Sequence, residues 1–386
     1  MPGRSWDHGP VGDQTIVDEL RAIGLKAGLE AVGVASAEPF ADTLSHLRQR
    51  RDEGLHGDMA FTYRNPERST DPGRIVAGAR SLVVGSLRHA PPTAQRPTAD
   101  SPSGAGPIGR VAAYATTDHY ARLRSGLEAV AVRLRTDGWT ARVVADDNAL
   151  VDRAAAHRAG LGWYGKSSNL LGPDLGSWFV LGSVVTDADL PTDTPVGDGC
   201  GACTRCVSGC PTGAIVAPGV VDARRCLAWL VQAAGAFPRQ FRADLGDRLY
   251  GCDECQVVCP PNRGDRSVPV FMGDGAMADR EEFVELLDRF GRWYIPERQP
   301  RYLRRNALVV LGNVGDPDDE RSAHVLARYL AGDDPMLAAH GVWAARRLGR
   351  DDLVSLADPS TAEVADELAH PTPSRATPAP TRQSGR

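Results

Sequence analysis

The sequence predicts a chain of three parts: an α/β domain, a short cysteine-rich domain and an α-helical C-terminal domain. In the first half of the 386 residues, apolar stretches of strand length alternate with stretches of helical spacing. All eight cysteines then fall between Cys200 and Cys259. Beyond Pro261, three apolar-faced stretches of helical composition are separated by turns rich in Asp, Gly and Pro. We place the domains at 15–189, 190–270 and 271–357, with a flexible leader at 1–14 and a disordered tail at 358–386.

The elements of the α/β domain follow from these patterns. They predict helices at 15–30, 118–138 and 150–160, and strands at 31–37, 81–89, 139–147 and 177–190. Asp118 is expected to cap the second helix, because its short side chain can accept a hydrogen bond from a free backbone N–H group. Gly138 is expected to end the same helix. The segment 91–107 lies between the predicted strand at 81–89 and the predicted helix at 118–138. It is rich in Pro, Ser, Ala and Gly, which predicts a mobile surface loop.

The C-terminal domain has the composition of a helical repeat. Its three apolar-faced stretches lie at 304–315, 321–332 and 336–349. Such paired helices are typical of HEAT repeats, and the stretches amount to about one and a half repeats.

The composition also limits the class of protein. The net charge of −5 argues against bulk electrostatic binding of nucleic acid but allows a local basic patch. No run approaches the roughly 20 apolar residues of a membrane helix, and the N-terminus lacks the apolar core of a signal peptide. We therefore expect a soluble cytoplasmic protein without a membrane partner. Clustered cysteines in a chain of this kind indicate metal ligands rather than disulfides.

The first cysteine motif has the spacing C-x2-C-x2-C-x3-C-P. It comprises Cys200, Cys203, Cys206, Cys210 and Pro211. This is the spacing of bacterial ferredoxins with two [4Fe–4S] clusters, in which the fourth cysteine binds the other cluster. The second motif comprises Cys252, Cys255, Cys259 and Pro260, and Cys226 is the remaining cysteine that can complete it.

The crossing of ligands between motifs assigns two [4Fe–4S] clusters in a ferredoxin-like domain. Cluster one takes Cys200, Cys203, Cys206 and Cys259. Cluster two takes Cys210, Cys226, Cys252 and Cys255. A pair of zinc sites is the alternative, because C-x2-C pairs also bind zinc. Two clusters make this domain an electron path that serves a redox centre elsewhere.

The stretch AGLGWYGKSSN, residues 159–169, precedes the cysteine-rich domain. It is too polar and too rich in glycine for an ordinary helix end, and it offers backbone N–H groups to a ligand that approaches closely. It matches neither a Walker loop nor a G-x-G-x-x-G fingerprint, so nucleotide binding has little support.

Several motifs together resemble the epoxyqueuosine reductase family. They are DDNALVDRAAAHRAGLGWYGKSSNLL, the C-x2-C-x2-C-x3-CPTGAI run, Cys226, GCDECQVVCP and RRNALVVLGN, and the resemblance covers about residues 15–350. It implies a cobalamin-dependent iron–sulfur enzyme that removes the epoxide oxygen of epoxyqueuosine in the anticodon loop of tRNA, giving queuosine. The first domain would bind cobalamin as in reductive dehalogenases, and the HEAT-like helices would help to grip the tRNA. We expect a monomer that takes electrons from an external donor.

The resemblance also implies roles for individual residues. Asp146, six residues before Asp152, matches the family's proton donor, which would protonate the oxygen released from the epoxide. The adjacent Asp147 is the alternative and would face the other way if the strand continues. The residues that would bind cobalamin are Arg68, Tyr114, Asp146, Lys166, Ser167, Ser168, Asn169 and Leu170.

The segment GRWYIPERQPRYLRRN, residues 291–306, is the candidate for RNA binding. Its arginines are interleaved with aromatic residues, a combination that suits phosphate contacts and stacking on unpaired bases. The predicted tRNA contacts are Arg292, Arg301, Arg304 and Arg305. The alternative is the start of a helix whose aromatics are buried and whose arginines are solvated. Two other functions stay open: reduction of a small, for example halogenated, molecule, and plain electron transfer.

Overall fold

The structure, a computed structural model, describes most of the chain and divides it into two compact units. The described residues are 14–88, 108–262, 268–271, 293–372 and 374. Among these, the first unit comprises 14–88, 118–224 and 254–262, and the second comprises 108–117, 225–253, 268–271, 293–372 and 374. The predicted leader and the predicted loop at 91–107 lie almost wholly outside the described residues.

The strands are numbered along the chain. They are β1 Ala31–Ser36, β2 Ser81–Arg88, β3 Ile108–Val111, β4 Ala141–Ala145, β5 Trp163–Tyr164, β6 Leu170–Leu171, β7 Phe179–Thr186, β8 Ile215–Ala217, β9 Val220–Val221, β10 Arg248–Tyr250 and β11 Val268–Phe271.

The α-helices of the described residues are numbered in the same way. They are α1 Gln14–Lys26, α2 Ala41–Asp52, α3 Pro66–Ser69, α4 His119–Thr136, α5 Asp152–Arg158, α6 Arg205–Ser208, α7 Leu227–Leu230, α8 Arg242–Leu245, α9 Glu254–Val257, α10 Arg301–Val314, α11 Glu320–Leu330, α12 Pro335–Leu348, α13 Asp351–Val354 and α14 Ala362–Ala369. None of these helices is both long enough and apolar enough to span a membrane.

The first unit is built on a four-stranded sheet in the order β1-β2-β7-β4. Every neighbouring pair is antiparallel, although alternation of helices and strands along a sequence more often indicates a parallel sheet. Helices α1 and α4 cover the face that carries Val83. Helix α5 packs against the same strands on the opposite face, which carries Leu82 and Val84. Because both faces are covered, β2 is buried from Ser81 to Leu87 instead of alternating between buried and exposed residues.

The predicted elements of this unit are confirmed with small changes of boundary. The Asp118 carboxylate accepts a hydrogen bond of 2.9 Å from the Ala121 N–H group and so caps α4. The helix ends at Thr136, and Gly138 follows with a φ of +91°, a conformation that favours glycine.

The segment after β7 belongs to the first unit, not to a separate domain beginning at residue 190. The Asp193 carboxylate accepts the Val34 N–H group of β1 at 2.8 Å and pairs with Arg21 of α1 at 2.5 Å. These bonds fix the segment along the outer strand of the sheet. The predicted boundary is therefore corrected, because the composition of a linker does not reveal such an attachment.

The second unit also departs from the predicted domain limits. Strand β3 pairs with β10 and β11, so residues 108–117 join the C-terminal helices instead of the α/β domain. The cysteine-rich segment is divided as well: Cys226 and Cys252 belong to the second unit, and the other six cysteines belong to the first.

The three predicted C-terminal helices are confirmed as α10, α11 and α12. They form an apolar core that includes Leu308, Leu326 and Val342. At Gly312 of α10 a side chain would approach the Trp343 ring to 2.7 Å, so glycine is required for the close packing of α10 on α12.

The predicted disordered tail contains a further helix, α14, which packs against α12. Glu367 of α14 is 1% exposed and pairs with Arg239 at 2.9 Å and with Arg242 at 3.0 Å. The Arg346 guanidinium of α12 also donates to the Glu367 carbonyl group at 3.1 Å. The expectation of disorder from residue 358 onward is wrong for this part, because buried charge pairs bind a segment that has few large apolar residues.

Candidate functional site

A tight turn follows β4 and carries Asp146, the predicted proton donor. The backbone of Asp146 is in the left-handed region, with a φ of +50°. Aspartate tolerates this conformation better than most residues, yet it is uncommon outside glycine and concentrates at functional sites. Asp146 is half-buried. The turn therefore ends the strand and directs the chain toward α5.

Neighbouring residues anchor the turn. The Asn148 side chain accepts a hydrogen bond of 3.2 Å from the Arg68 guanidinium, and the Asn148 carbonyl accepts one of 2.5 Å from the Ser69 hydroxyl. The Asp147 carboxylate accepts the Ala149 N–H group at 2.9 Å. The structure thus brings Arg68 to the same turn as Asp146, and it engages Asp147 in holding the turn together.

Asp152, at the start of α5, is a half-buried acid with one buried carboxylate oxygen. Its Oδ1 atom is buried and has no hydrogen-bond partner among the described residues. Burial raises the pKa of this carboxyl well above its ordinary range, and nearby Asp147 raises it further, against the opposing effect of Arg153 and Arg124.

Two tyrosines, Tyr63 and Tyr164, lie near Arg50 and near Arg153, the residue that follows this acid. Burial raises the pKa of the Tyr63 and Tyr164 hydroxyls, while Arg50 and Arg153 lie near enough to both to lower it in part. Tyr164 is nevertheless 42% exposed, so it lies at the surface. No spacing in the sequence indicates these four residues, because they come from separate segments.

The glycines of AGLGWYGKSSN are required for close packing within the chain. A side chain at Gly162 would approach the Leu171 carbonyl oxygen to 2.3 Å, and one at Gly165 would approach the Leu171 side chain to 2.8 Å. Strands β5 and β6 pair here as a short hairpin. The expectation that these glycines leave room for a ligand is therefore wrong, because the returning strand fills that space.

The tip of this hairpin contacts the cysteine-rich segment. Lys166 donates to the Gly201 carbonyl at 2.7 Å, Ser168 donates to the Gly219 carbonyl at 2.8 Å, and the Asn169 amide reaches the Cys255 sulfur at 3.6 Å. Ser167 is half-buried.

Leu170, the last residue of the predicted cofactor-binding turn, is 3% exposed and lies in the apolar core of the first unit. This corrects the prediction that its side chain contacts a cofactor, because a leucine in the core has no surface left for a ligand.

Four cysteines of the first unit lie near one another. Burial raises the pKa of the Cys259 thiol to about 11, and the nearby thiols of the first motif raise it too. The residues that act on Cys259 in this way are Cys200, Cys203 and Cys206. Cys259 is far from them in sequence, so the fold gathers the four residues predicted for cluster one. Their thiolates are the form that binds iron.

The other cysteines are placed as follows. In the first unit, the Cys210 sulfur accepts the Ala214 N–H group at 3.2 Å, and Cys255 receives the Asn169 amide. In the second unit, Cys226 precedes α7 and Cys252 packs beside the apolar core.

Tyr114 belongs to the second unit, where its hydroxyl accepts a hydrogen bond of 3.3 Å from the Gln232 amide and bonds with Tyr250. The other predicted cofactor-binding residues belong to the first unit.

Arg305 is fully buried in the second unit, in contrast to the prediction. Its guanidinium donates to backbone carbonyls of the segment after α7, at distances of 2.5 to 3.3 Å; the acceptors are Leu230, Val231, Ala233 and Gly235. The predicted contact of Arg305 with RNA is corrected, because its side chain is inside the core. A run of arginines in sequence does not reveal which member faces inward.

The other predicted RNA contacts remain closer to the surface. Arg301 pairs with Asp334 at 2.9 Å and keeps 39% of its side chain exposed, and Arg304 is half-buried. Arg292 lies outside the described residues.

The aromatic residues of this segment divide between core and surface. Trp293 is 4% exposed and stacks on Tyr250 with ring centres 4.2 Å apart. Tyr294 is 54% exposed, and its ring lies 6.4 Å from that of Trp229 in a stacked arrangement. The alternative of buried aromatics therefore applies to Trp293, whereas Tyr294 remains at the surface.

Comparison with known proteins agrees with this arrangement. Residues 199–262 match the family described as "4Fe-4S double cluster binding domain". The chain is 32% identical to an epoxyqueuosine reductase of Shewanella oneidensis over 356 residues, which covers 87% of this chain and 89% of that protein.

Two solved structures are similar over almost the whole chain. One is an epoxyqueuosine reductase with a tRNA-Tyr epoxyqueuosine-modified tRNA stem loop: it is 27% identical, with 92% of this chain and 94% of that chain covered and a TM-score of 0.76. The other is the Bacillus subtilis enzyme, with its aspartate catalytic loop swung out of the active site: it is 26% identical, with the same coverage and a TM-score of 0.75. The resemblance found in the sequence is confirmed, and the chain belongs to the epoxyqueuosine reductase family.

Proposed function

We propose that this chain reduces the epoxide of epoxyqueuosine in the anticodon loop of tRNA and so forms queuosine. The observation that carries the proposal is the strained turn of Asp146, whose neighbour Asp147 lies near Asp152, in a chain that also gathers the cysteines proposed to bind a cluster. The reaction takes two electrons and two protons: both C–O bonds of the epoxide break, a C=C bond forms, and the oxygen leaves as water. The relative solved with a modified tRNA stem loop supports tRNA as the substrate.

The cysteines divide into two sets of four in this proposal. Cluster one takes Cys200, Cys203, Cys206 and Cys259. Cluster two takes Cys210, Cys226, Cys252 and Cys255, an assignment that rests on the spacing of the two motifs. Electrons come from an external donor and pass through the clusters.

Cobalamin fits the polar groups around the Asp146 turn. The unsatisfied Oδ1 of Asp152 and the hydroxyls of Tyr63 and Tyr164 suit the amide side chains of a corrin, which both donate and accept hydrogen bonds. Arg68 and Ser167 complete the residues we propose to hold it. When bound, cobalamin supplies the low-potential reducing chemistry that protein side chains lack.

Asp146 donates the proton that the departing oxygen requires. A carboxyl group placed within hydrogen-bond reach of a developing alkoxide stabilises it by proton transfer. The loop of the Bacillus subtilis relative is named catalytic for its aspartate, which supports this role. The hydrogen bonds from Arg68 and Ser69 to Asn148 hold the turn in the conformation that presents Asp146.

The second unit supplies the RNA contacts in this proposal. Tyr294 offers an exposed ring for stacking on an unpaired base, and Arg301 and Arg304 offer positive charge for phosphates. We place the protein in the cytoplasm, where tRNA is modified, and expect it to act as a monomer.

The experiment uses the full chain with its clusters and cobalamin restored. The protein is incubated with a tRNA stem loop that carries epoxyqueuosine and with a strong chemical reductant, and the nucleosides are analysed by mass spectrometry. Conversion to queuosine, with loss of one oxygen atom, is expected. Fully loaded protein that leaves the epoxide intact, but reduces a small halogenated compound, would replace the proposal with a small-molecule reductase.

A further inference from the structure

The side-chain amide of Asn169 faces the sulfur of Cys255. The Asn169 nitrogen lies 3.6 Å from the Cys255 Sγ, within the range of an N–H···S hydrogen bond. A cysteine thiolate only accepts hydrogen bonds, so the amide nitrogen, and not the amide oxygen, is the atom that must face it. Both residues lie in the first unit.

The backbone around Asn169 fixes this orientation. The Asn169 carbonyl accepts the Gly165 N–H group at 2.8 Å, and Ser168 adopts a left-handed φ of +65° with its N–H group bonded to the Gly165 carbonyl at 2.9 Å. The Lys166 carbonyl accepts the Gly219 N–H group at 3.0 Å. The turn is closed by these bonds, so the backbone of Asn169 is held where its side chain reaches the sulfur.

The proposed ligand sulfurs of the first unit differ in this respect. Among the described residues, no side chain donates a hydrogen bond to the sulfur of Cys200, Cys203, Cys206 or Cys259. The Cys210 sulfur receives the backbone N–H group of Ala214. Asn169 is therefore a donor that a single substitution can remove without touching a ligand.

A hydrogen bond to a ligand sulfur favours the reduced cluster. Reduction adds one negative charge, part of which lies on the sulfurs, and an N–H group stabilises that charge. Hydrogen bonds to the sulfurs are among the factors that set the potential of iron–sulfur clusters.

We propose that Asn169 is a positioning residue that raises the reduction potential of the cluster bound by Cys255. The inference rests on the proposed cluster assignment but not on the substrate. It gives Asn169 a role toward the cluster instead of the contact with cobalamin predicted from the sequence. Its consequence is that the external donor reduces this cluster more readily than it would without the amide.

The test measures both cluster potentials by redox titration followed with electron paramagnetic resonance. Purified full-length protein and the Asn169→Leu variant are compared after their iron content is shown to be equal. Leucine has nearly the size of asparagine but donates no hydrogen bond. We expect one of the two midpoint potentials to fall, by about 59 mV for a tenfold change in the reduction equilibrium, and the other to stay unchanged.

A matched control is Gln256→Leu. Gln256 follows Cys255 directly, but its amide donates to the Ser177 carbonyl at 3.0 Å and hydroxyl at 3.1 Å, not to sulfur. Equal shifts in the Gln256→Leu and Asn169→Leu variants would overturn the inference, as would an unshifted pair of potentials in fully loaded Asn169→Leu protein. If the Asn169→Leu protein binds its clusters poorly, the Asn169→Ser variant replaces it, because serine is too short to reach the sulfur. We expect the same fall in one midpoint potential.

These outcomes are distinct from failure of the proposed function. The two potentials can still be measured in protein that holds two clusters but does not act on tRNA. The proposed substrate can therefore be wrong while the proposed role of Asn169 is correct. Wild-type protein that cannot be loaded with two clusters contradicts the cluster assignment and this inference together.

Discussion

Buried charged groups in the two units differ in whether their polar atoms have hydrogen-bond partners. In the second unit, the guanidinium of Arg305 donates to a set of backbone carbonyls, and Glu367 pairs with both Arg239 and Arg242. In the first unit, the Oδ1 of Asp152 is buried without a partner among the described residues, next to a turn in an uncommon backbone conformation.

This difference distinguishes charged residues that stabilise the fold from charged residues that act in the reaction. A buried charge whose hydrogen bonds are complete contributes to the packing of the fold, whereas an unsatisfied buried acid costs free energy that the fold must offset. Natural proteins keep such costs mainly at sites of chemistry. On this basis we assign the arginines of the helical core to structure and the acids after β4 to the reaction.

The strongest test of the structural side is Arg305→Met. The substitution keeps an unbranched apolar stem but leaves several buried carbonyl groups without donors. We expect it to lower the free energy of unfolding by about 3–5 kcal/mol, measured by urea denaturation. Arg301→Met, which removes an ion pair of a half-exposed side chain, is the matched control and is expected to cost less than about 1 kcal/mol. Equal costs would mean that Arg305 is not a core residue.

The second test concerns the C-terminal helix. Glu367→Ala leaves Arg242 buried without its carboxylate, and we expect a loss of about 3 kcal/mol in the free energy of unfolding. Glu363, also on α14 but exposed, provides the control variant Glu363→Ala, which should leave stability nearly unchanged. A stable Glu367→Ala protein would restore the expectation of a disordered tail.

A third test uses pH. His340 is fully buried; its Nδ1 bonds to the Met336 carbonyl and its Nε2 accepts the Phe237 N–H group, so the neutral ring fits. Burial, with Arg242 and Arg305 nearby, lowers the pKa of this histidine well below 6.5. As the pH falls, His340 therefore binds a proton in the unfolded chain at a higher pH than in the folded protein.

The sign of the effect follows from this order. Stability is complete above pH 6.5 and falls as the pH drops below it, by about 1.4 kcal/mol for each pH unit until the folded protein is protonated. His340→Gln retains a donor and an acceptor but does not titrate, so its unfolding free energy should depend less on pH in this range. The same slope in both proteins would assign the pH dependence to other groups.

Much of the fold could be predicted because its elements have strong local patterns. The strands β1 and β2 and the helices α4, α10, α11 and α12 follow from apolar spacing and end signals. The antiparallel order of the sheet could not be predicted, since pairing depends on contacts between distant segments. The same holds for the division of the cysteine-rich segment between units and for α14, which charge pairs bind to the core.

The site was predictable where covalent spacing fixes the chemistry. The spacing of the cysteines groups Cys259 with the first motif, and the structure places them together. In sequence, the glycines of the hairpin cannot be distinguished from glycines that leave space for a ligand. In the structure, Leu171 occupies the space beside Gly162 and Gly165. Tyr63 and Tyr164 come near Arg50 and Arg153 only in the folded protein, so their environment has no counterpart in the sequence. The same holds for Asp152 and Arg124.

The most direct test of the account is the rate at which Asp146→Asn converts epoxyqueuosine to queuosine in a tRNA stem loop. Asparagine tolerates the left-handed conformation as aspartate does but cannot donate a proton as a carboxylic acid. With equal loading of clusters and cobalamin, we expect a loss of about 100-fold or more in rate, while Asp147→Asn, which keeps the acceptor for the Ala149 N–H group, stays near the wild-type rate. An Asp146→Asn protein as active as Asp147→Asn would contradict the assignment of the reaction to this turn.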